Sequence, residues 1–186
     1  MGAPFRFVPT VCRAVRARNR ERPSGGLIAD AAGRVPPGDN RGVPKKNRTT
    51  KRTERTGPSI APSSPCPCGL PASYADCCGA FHGGRSSAPT AERLMRSRYS
   101  AFAVGDAAYL LRTWHSSTRP EALDLDGRVR WTGLEILATS NGTAFHAEGT
   151  VEFRAHCLLP GGVPDSQQEL SRFVREDGRW VYVDGV

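Results

Sequence analysis

The chain has 186 residues, six of them cysteine, and a formal charge of +8. No apolar run approaches the length a membrane-spanning helix needs, and the apolar start is broken at once by Arg6, unlike a secretory leader. The positive charge is uneven: residues 1–65 carry fourteen Lys and Arg against four Asp and Glu, and residues 66–186 carry twelve against fourteen. The high pI therefore describes only the first third and says nothing about the partners of the rest.

Residues 1–65 are rich in Arg, Gly and Pro and show no helical or strand period. They are expected to form a disordered basic extension, or to lie upstream of the true translation start. The run Lys45, Lys46, Arg48, Lys51, Arg52 can attract nucleic acid by charge alone. It lacks aromatic residues on which bases would stack, so nucleic acid is the weakest partner reading. Cys12 is an isolated thiol.

Residues 66–84 form a cysteine knuckle. Cys66, Cys68, Cys77 and Cys78 fall within thirteen residues, and four thiolates satisfy a tetrahedral zinc ion. Pro67 and Gly69 permit a tight loop that aims the first pair of sulfurs at one ion. Adjacent cysteines serving the same ion are less usual, so His82 is a candidate replacement for Cys77 or Cys78. Dense cysteines without an export signal point to reduced thiols, a metal and the cytoplasm rather than disulfides. Four protein ligands leave no open position, so this zinc is structural.

Thr90 then caps a helix over about 91–104, ended by Gly105. Its apolar face takes Ala91, Leu94, Met95, Tyr99, Ala101 and Phe102, with Arg98 in the middle of that face. Arg93, Arg96 and Ser100 fall on the opposite, wet side. Asp106 caps a second helix over about 107–114, and Thr118 with Glu121 makes a capping box for a short third helix ending near Leu123. After Gly127 the period changes to two. Strands are expected over 128–139, 144–159, 166–175 and 179–184, with Ser140 to Thr143 and Asp177-Gly178 as turns. On the second strand Phe145, Ala147, Val151, Phe153, Ala155 and Cys157 share one face, and His146, Glu148, Thr150, Glu152, Arg154 and His156 the other. Helices followed by strands give an α+β class, three helices packed under a curved antiparallel four-stranded sheet.

An arginine on an apolar helix face must be paired or line a cavity. Arg98, with Tyr99, Trp114 and His115, therefore marks a candidate anion-binding pocket between helices and sheet, set against a buried structural ion pair. His115 is also explained by the dipole at the end of its helix. Cys157 reads as a core thiol. No catalytic constellation stands out.

The motifs Cys66-Pro67-Cys68-Gly69, Cys77-Cys78, Leu94-Met95-Arg96-Ser97-Arg98-Tyr99, Thr113-Trp114-His115, Ser171-Arg172-Phe173 and Asp177 to Gly185 resemble the bacterial YchJ family from about residue 65 onward. The resemblance implies a SEC-C zinc motif with ligands Cys66, Cys68, Cys77 and Cys78, followed by a domain similar to nuclear transport factor 2. It brings no catalytic residues. Longer members carry a second SEC-C motif after the last strand, which this sequence lacks. The resulting domain layout is an extension (1–65), a knuckle (66–84) and an α+β domain (88–186). The function expected is that of a cytoplasmic zinc-binding interaction module whose knuckle docks a protein partner. The alternative is a small-molecule binder or enzyme using a pocket around Arg98.

Overall fold

A computed structural model describes residues 60–186 and the backbone of Val15–Arg18. The elements in chain order are β1 (Val15–Arg18), α1 (Cys78–His82), α2 (Ala91–Val104), α3 (Ala107–Arg112), β2 (Ala122–Leu125), β3 (Arg130–Asn141), β4 (Glu148–Leu159), β5 (Val163–Glu176) and β6 (Arg179–Gly185). The last four form one antiparallel meander in the order β3-β4-β5-β6, and β1 pairs with β2 in a separate ribbon.

The caps of α2 act as the sequence dictates. Thr90 Oγ1 accepts the Arg93 amide at 3.1 Å, and Gly105 closes the helix at φ 69° with its amide on the Ala101 and Phe102 carbonyls. The Ala91 amide, an orphan of the first turn, donates to the Gly142 carbonyl at 2.8 Å. That contact pins the β3–β4 turn to the helix start. Only glycine fits at 142, where φ is 72° and a Cβ would lie 2.7 Å from Ala91 Cβ. Asp106 caps α3 by accepting the Tyr109 amide at 2.9 Å.

The inner face of β4, Val151, Phe153, Ala155 and Cys157, is buried as the alternation requires, while Thr150, Glu152, Arg154 and His156 stay partly exposed. Register shifts in β3 between Trp131 and Gly133 and between Ile136 and Ala138, and in β5 between Arg172 and Phe173, bend the sheet. Leu94, Tyr99 and Ala101 of α2 meet Phe153 and Phe173 in the core.

Several expectations change. Residues 118–123 do not form the third helix. Ala122–Leu125 is instead a strand, antiparallel to Val15–Arg18, with Leu123 opposite Ala17. The Thr118 hydroxyl donates to the Val183 carbonyl at 2.8 Å instead of capping. A partner about a hundred residues upstream thus overrides a local capping signal. The third helix is α1, inside the knuckle. α3 stops at Arg112 because the following backbone turns onto β6, with the His115 amide on the Tyr182 carbonyl and the Tyr182 amide on the Thr113 carbonyl. β4 begins at Glu148, not at 144, so Phe145 lies in the turn and is 97% exposed. The disordered reading of residues 1–65 falls mostly outside the described residues. Within it, Val15–Arg18 is a strand, and residues 60–65 belong to the knuckle, where the Ser64 carbonyl accepts the Tyr74 amide at 2.8 Å.

Candidate metal centre

The knuckle is folded by its own backbone before any metal is considered. The Cys66 amide donates to the Ala72 carbonyl and the Gly69 amide to the Cys66 carbonyl, which turns the chain sharply between the first two cysteines. Gly69 sits at φ 81°, a conformation that suits glycine. The Gly79 amide donates to the Tyr74 carbonyl at 2.7 Å. A Cβ at Gly79 would lie 2.6 Å from that same oxygen, so the turn leading into α1 requires glycine.

These turns bring the sulfurs of Cys66, Cys68, Cys77 and Cys78 within 4.8 Å of one another. Cys68 and Cys77 are 3.6 Å apart and Cys77 and Cys78 4.0 Å. Disulfides are far shorter, and all four cysteines are free and buried. A tetrahedral ion with bonds of ~2.3 Å sets its sulfurs ~3.8 Å apart, so the four residues fit a metal, adjacent pair included. His82 takes no part in the cluster. Its Nε2 lies 2.9 Å from the Ser97 carbonyl, which can only accept, so Nε2 carries the proton and Nδ1 accepts from the Tyr74 hydroxyl at 2.8 Å. Burial holds this imidazole below its ordinary value and therefore neutral.

The thiols share protons among themselves. Hydrogen bonds from Cys68 and Cys78 hold the Cys66 thiol well below its ordinary value, and the same bonds push Cys68 up to about 11 and Cys78 up further. A metal bound here would displace those protons.

The side of α2 expected to be wet is the side the knuckle covers. Ser100 is fully buried, with its Oγ 3.8 Å from Cys66 Sγ. Arg93 Nη2 donates to Cys77 Sγ at 3.7 Å. Arg96 Nη1 donates to the Cys68 carbonyl at 3.0 Å, and its Nε pairs with Glu92 Oε1 at 2.7 Å. Val104 packs against the cysteines. Positions 93, 96, 97, 100 and 104 follow the helical period as faithfully as the apolar set. Two serines buried between arginines were the available signal. A four-thiolate metal site carries net negative charge, and Arg93 and Arg96 place positive charge beside it.

Arg98 is 3% exposed and forms neither of the expected arrangements. Its Nη1 donates to the Leu110 carbonyl at 2.8 Å, the Thr113 carbonyl at 3.3 Å and Thr113 Oγ1 at 2.8 Å. Its guanidinium carbon lies 4.5 Å from the Tyr182 ring centre and 5.1 Å from that of Trp114. These carbonyls are the orphans at the end of α3, so Arg98 is an internal C-cap of that helix, made from a neighbouring one. Burial pushes it down to about 10, still charged at neutral pH. The acid nearest in influence, Glu169, accepts from Ser171 Oγ at 2.6 Å.

A cleft of about 680 Å³ does exist, but elsewhere, between the knuckle exit, α3 and the β5–β6 turn. Phe81, Tyr109, Trp114 and Trp180 supply its aromatic surface, and Arg119 and Arg179 stand with Glu176 and Asp177 on its walls. Of the four pocket candidates, only Trp114 lines it. Tyr99 packs edge-on against Trp131 at 5.6 Å. His115 binds Ser117 Oγ through Nδ1 at 2.7 Å. One wall belongs to the metal centre: Arg112 Nη2 donates to the Phe81 and His82 carbonyls at the end of α1. His156 lies on the outer sheet face, 2.8 Å from Glu135, and His146 binds Thr143 Oγ1 in the β3–β4 turn.

A cone of helices under a curved meander, with four convergent thiols packed on its long helix, defines a small α+β protein with a candidate metal knuckle. The family described as "YchJ, middle NTF2-like domain" matches residues 90–185. The chain belongs to the YchJ family, whose relatives bear the name UPF0225. A UPF0225 protein of Streptomyces coelicolor is 64% identical over 124 residues, 67% of this chain and 96% of the relative. One from Deinococcus radiodurans is 52% identical over 131 residues, 69% of this chain and 95% of the relative. Among solved structures, a SEC-C motif containing protein from Rhodopseudomonas palustris superposes with a TM-score of 0.57 at 33% identity, covering 66% of this chain and 98% of that one. A second, from Psychrobacter arcticus, gives 0.55 at 29%, covering 66% and 82%.

Proposed function

We propose that Cys66, Cys68, Cys77 and Cys78 hold one structural zinc ion and that the knuckle so formed docks a protein partner in the cytoplasm. The observation that carries the zinc reading is the convergence of four buried sulfurs at tetrahedral spacing with arginines beside them. A tetrahedral four-thiolate set suits zinc or iron rather than the hard ions magnesium and calcium, and the SEC-C proteins named above share the architecture. A closed four-thiolate set leaves no position for a reacting water, which favours a binding role over an enzymatic one. Because α2 already covers one side of the knuckle, docking falls to the exposed tip at Gly69, Pro71 and Ala72. The purified full chain is expected to hold one zinc per protein, and Cys66→Ser/Cys68→Ser to hold none. Full stoichiometry in that variant would refute the site. Capture of a partner that survives Ala72→Asp but is lost with chelator would refute the tip and keep the metal.

A second reading is favoured by the cleft. A concave site of this volume with aromatic walls and a few charges suits a small ligand. A thermal shift with a small-molecule panel, lost in Trp180→Ala, would promote it.

A further inference from the structure

β2 is anchored to the cone by its own side chains. Leu123 is buried and Leu125 packs against the core, while Ala122 and Asp124 are exposed. What pairs with its backbone is β1, from the basic first third of the chain. The register sets Val15 at Leu125, Arg16 at Asp124, Ala17 at Leu123 and Arg18 at Ala122. The charges are complementary in sequence: β1 carries two arginines in four residues, and β2 lies within Glu121-Ala122-Leu123-Asp124-Leu125-Asp126, three acids in six. That complementarity of sequence suits pairing of the two strands in this register. The Streptomyces coelicolor protein is matched over 96% of its own length, yet that match leaves a third of this chain outside it. Almost nothing of the relative is left to supply a strand so far upstream of β2.

We propose that the Ala122–Leu125 edge is a β-addition site for an extended basic segment, and that in this chain residues 15–18 fill it in cis. Main-chain hydrogen bonds supply the pairing and Asp124, opposite position 16 in the register, favours a basic strand, whereas the Asp126 carboxylate is held by Arg128 at 2.8 Å. A tethered strand meets the edge at millimolar effective concentration, so it excludes a free peptide of the same kind. In a chain without the extension, the same edge is open to a basic strand from another protein. This inference is independent of the zinc reading, because no cysteine contributes to it.

The test uses a fluorescent peptide of residues 13–20 and three proteins: the full chain, the chain lacking residues 1–54, and the full chain with Arg16→Pro/Ala17→Pro. The solved Rhodopseudomonas palustris protein, 98% covered by this fold, shows that such a unit stands without an extension. Adjacent amides of a strand point to opposite sides, so the paired prolines remove a ladder donor whichever of them faces β2. Fluorescence anisotropy is expected to show binding to the truncated and proline chains, at least about tenfold tighter than to the full chain. Asp124→Lys in the truncated chain should weaken binding by about fivefold or more. A scrambled peptide of equal charge, and one with proline at the positions of 16 and 17, should not bind. Equal binding of those control peptides would mean charge attraction alone and overturn the proposal. So would equal binding to the full and truncated chains, or no binding to a truncated chain that still unfolds cooperatively in urea.

Discussion

Replacing Arg98 by methionine separates a structural arginine from a ligand-binding one. The change keeps the apolar stem but removes the guanidinium, and with it the donors to the Leu110 and Thr113 carbonyls and the cation above Tyr182 and Trp114. Hydrogen bonds to a charged group contribute ~1.5–3 kcal/mol each, and a buried acceptor left bare costs ~1–3 kcal/mol. A desolvated cation–π contact adds ~2 kcal/mol. Against this, the fold no longer desolvates a charge, which returns several kcal/mol, and Thr113 Oγ1 still reaches the Leu110 carbonyl at 3.3 Å. The balance is a loss of ~2–4 kcal/mol, and for a unit of this size a fall in Tm of roughly 10 °C. Arg98→Lys keeps the charge without the fork and should lose about half as much. Urea unfolding followed by tryptophan fluorescence measures both, given an unchanged m-value. A methionine variant within ~0.5 kcal/mol of the parent, or more stable than it, would refute the capping role. Arg98 would then be a charge that the fold tolerates, and a ligand role would regain its force.

Gly79→Ala drives a methyl group into the Tyr74 carbonyl and should lower zinc affinity at least tenfold in a chelator competition, with the cone still folded. Arg96→Ala removes the donor to the Cys68 carbonyl and, acting on a ligand's support, should speed zinc loss to a colorimetric chelator by about tenfold. Glu169 is raised above its ordinary 4.5 by burial, so the folded state binds its proton more tightly than the unfolded one. Its stabilisation is complete below about pH 4.5 and is lost as pH rises through the folded value. The stability of Glu169→Gln relative to the parent should therefore increase with pH from about 4.5 upward in paired urea titrations, and a flat difference would count against the burial argument.

The cysteine spacing, the caps at Thr90 and Asp106, the αL glycine at 105 and the alternation along β4 were legible because each is a local rule, satisfied within a few residues. The failures are non-local. Ser100 and Arg96 read as wet because a polar helix face is ordinarily solvated, and nothing local announces that a knuckle thirty residues upstream will cover it. Thr118 and Glu121 spell a capping box, but the hydroxyl is spent on Val183 and the backbone on Val15–Arg18. Arg98 stands out in the sequence as a charge on an apolar face, and local reasoning offers two solutions, an acid or a cavity. Carbonyls at the end of another helix are a third, visible only once α2 and α3 are packed. Phe145 continued a clean alternation past the point where the turn around Gly142 consumed it.

Helix α2 serves two cores with one set of turns, the sheet on one side and the cysteines on the other. The knuckle is consequently not a portable cassette. Excised as residues 66–84, it would leave behind Arg93 and Ser100, which lie against its sulfurs, and Arg96, which holds the Cys68 carbonyl. Grafted elsewhere, it would need a host helix bearing the 93, 96, 97, 100, 104 pattern. Removing the knuckle would bare the polar helix face that it now covers. Knuckle and cone thus share one helix, and the roughly four turns from Ala91 to Val104 carry the contacts of both.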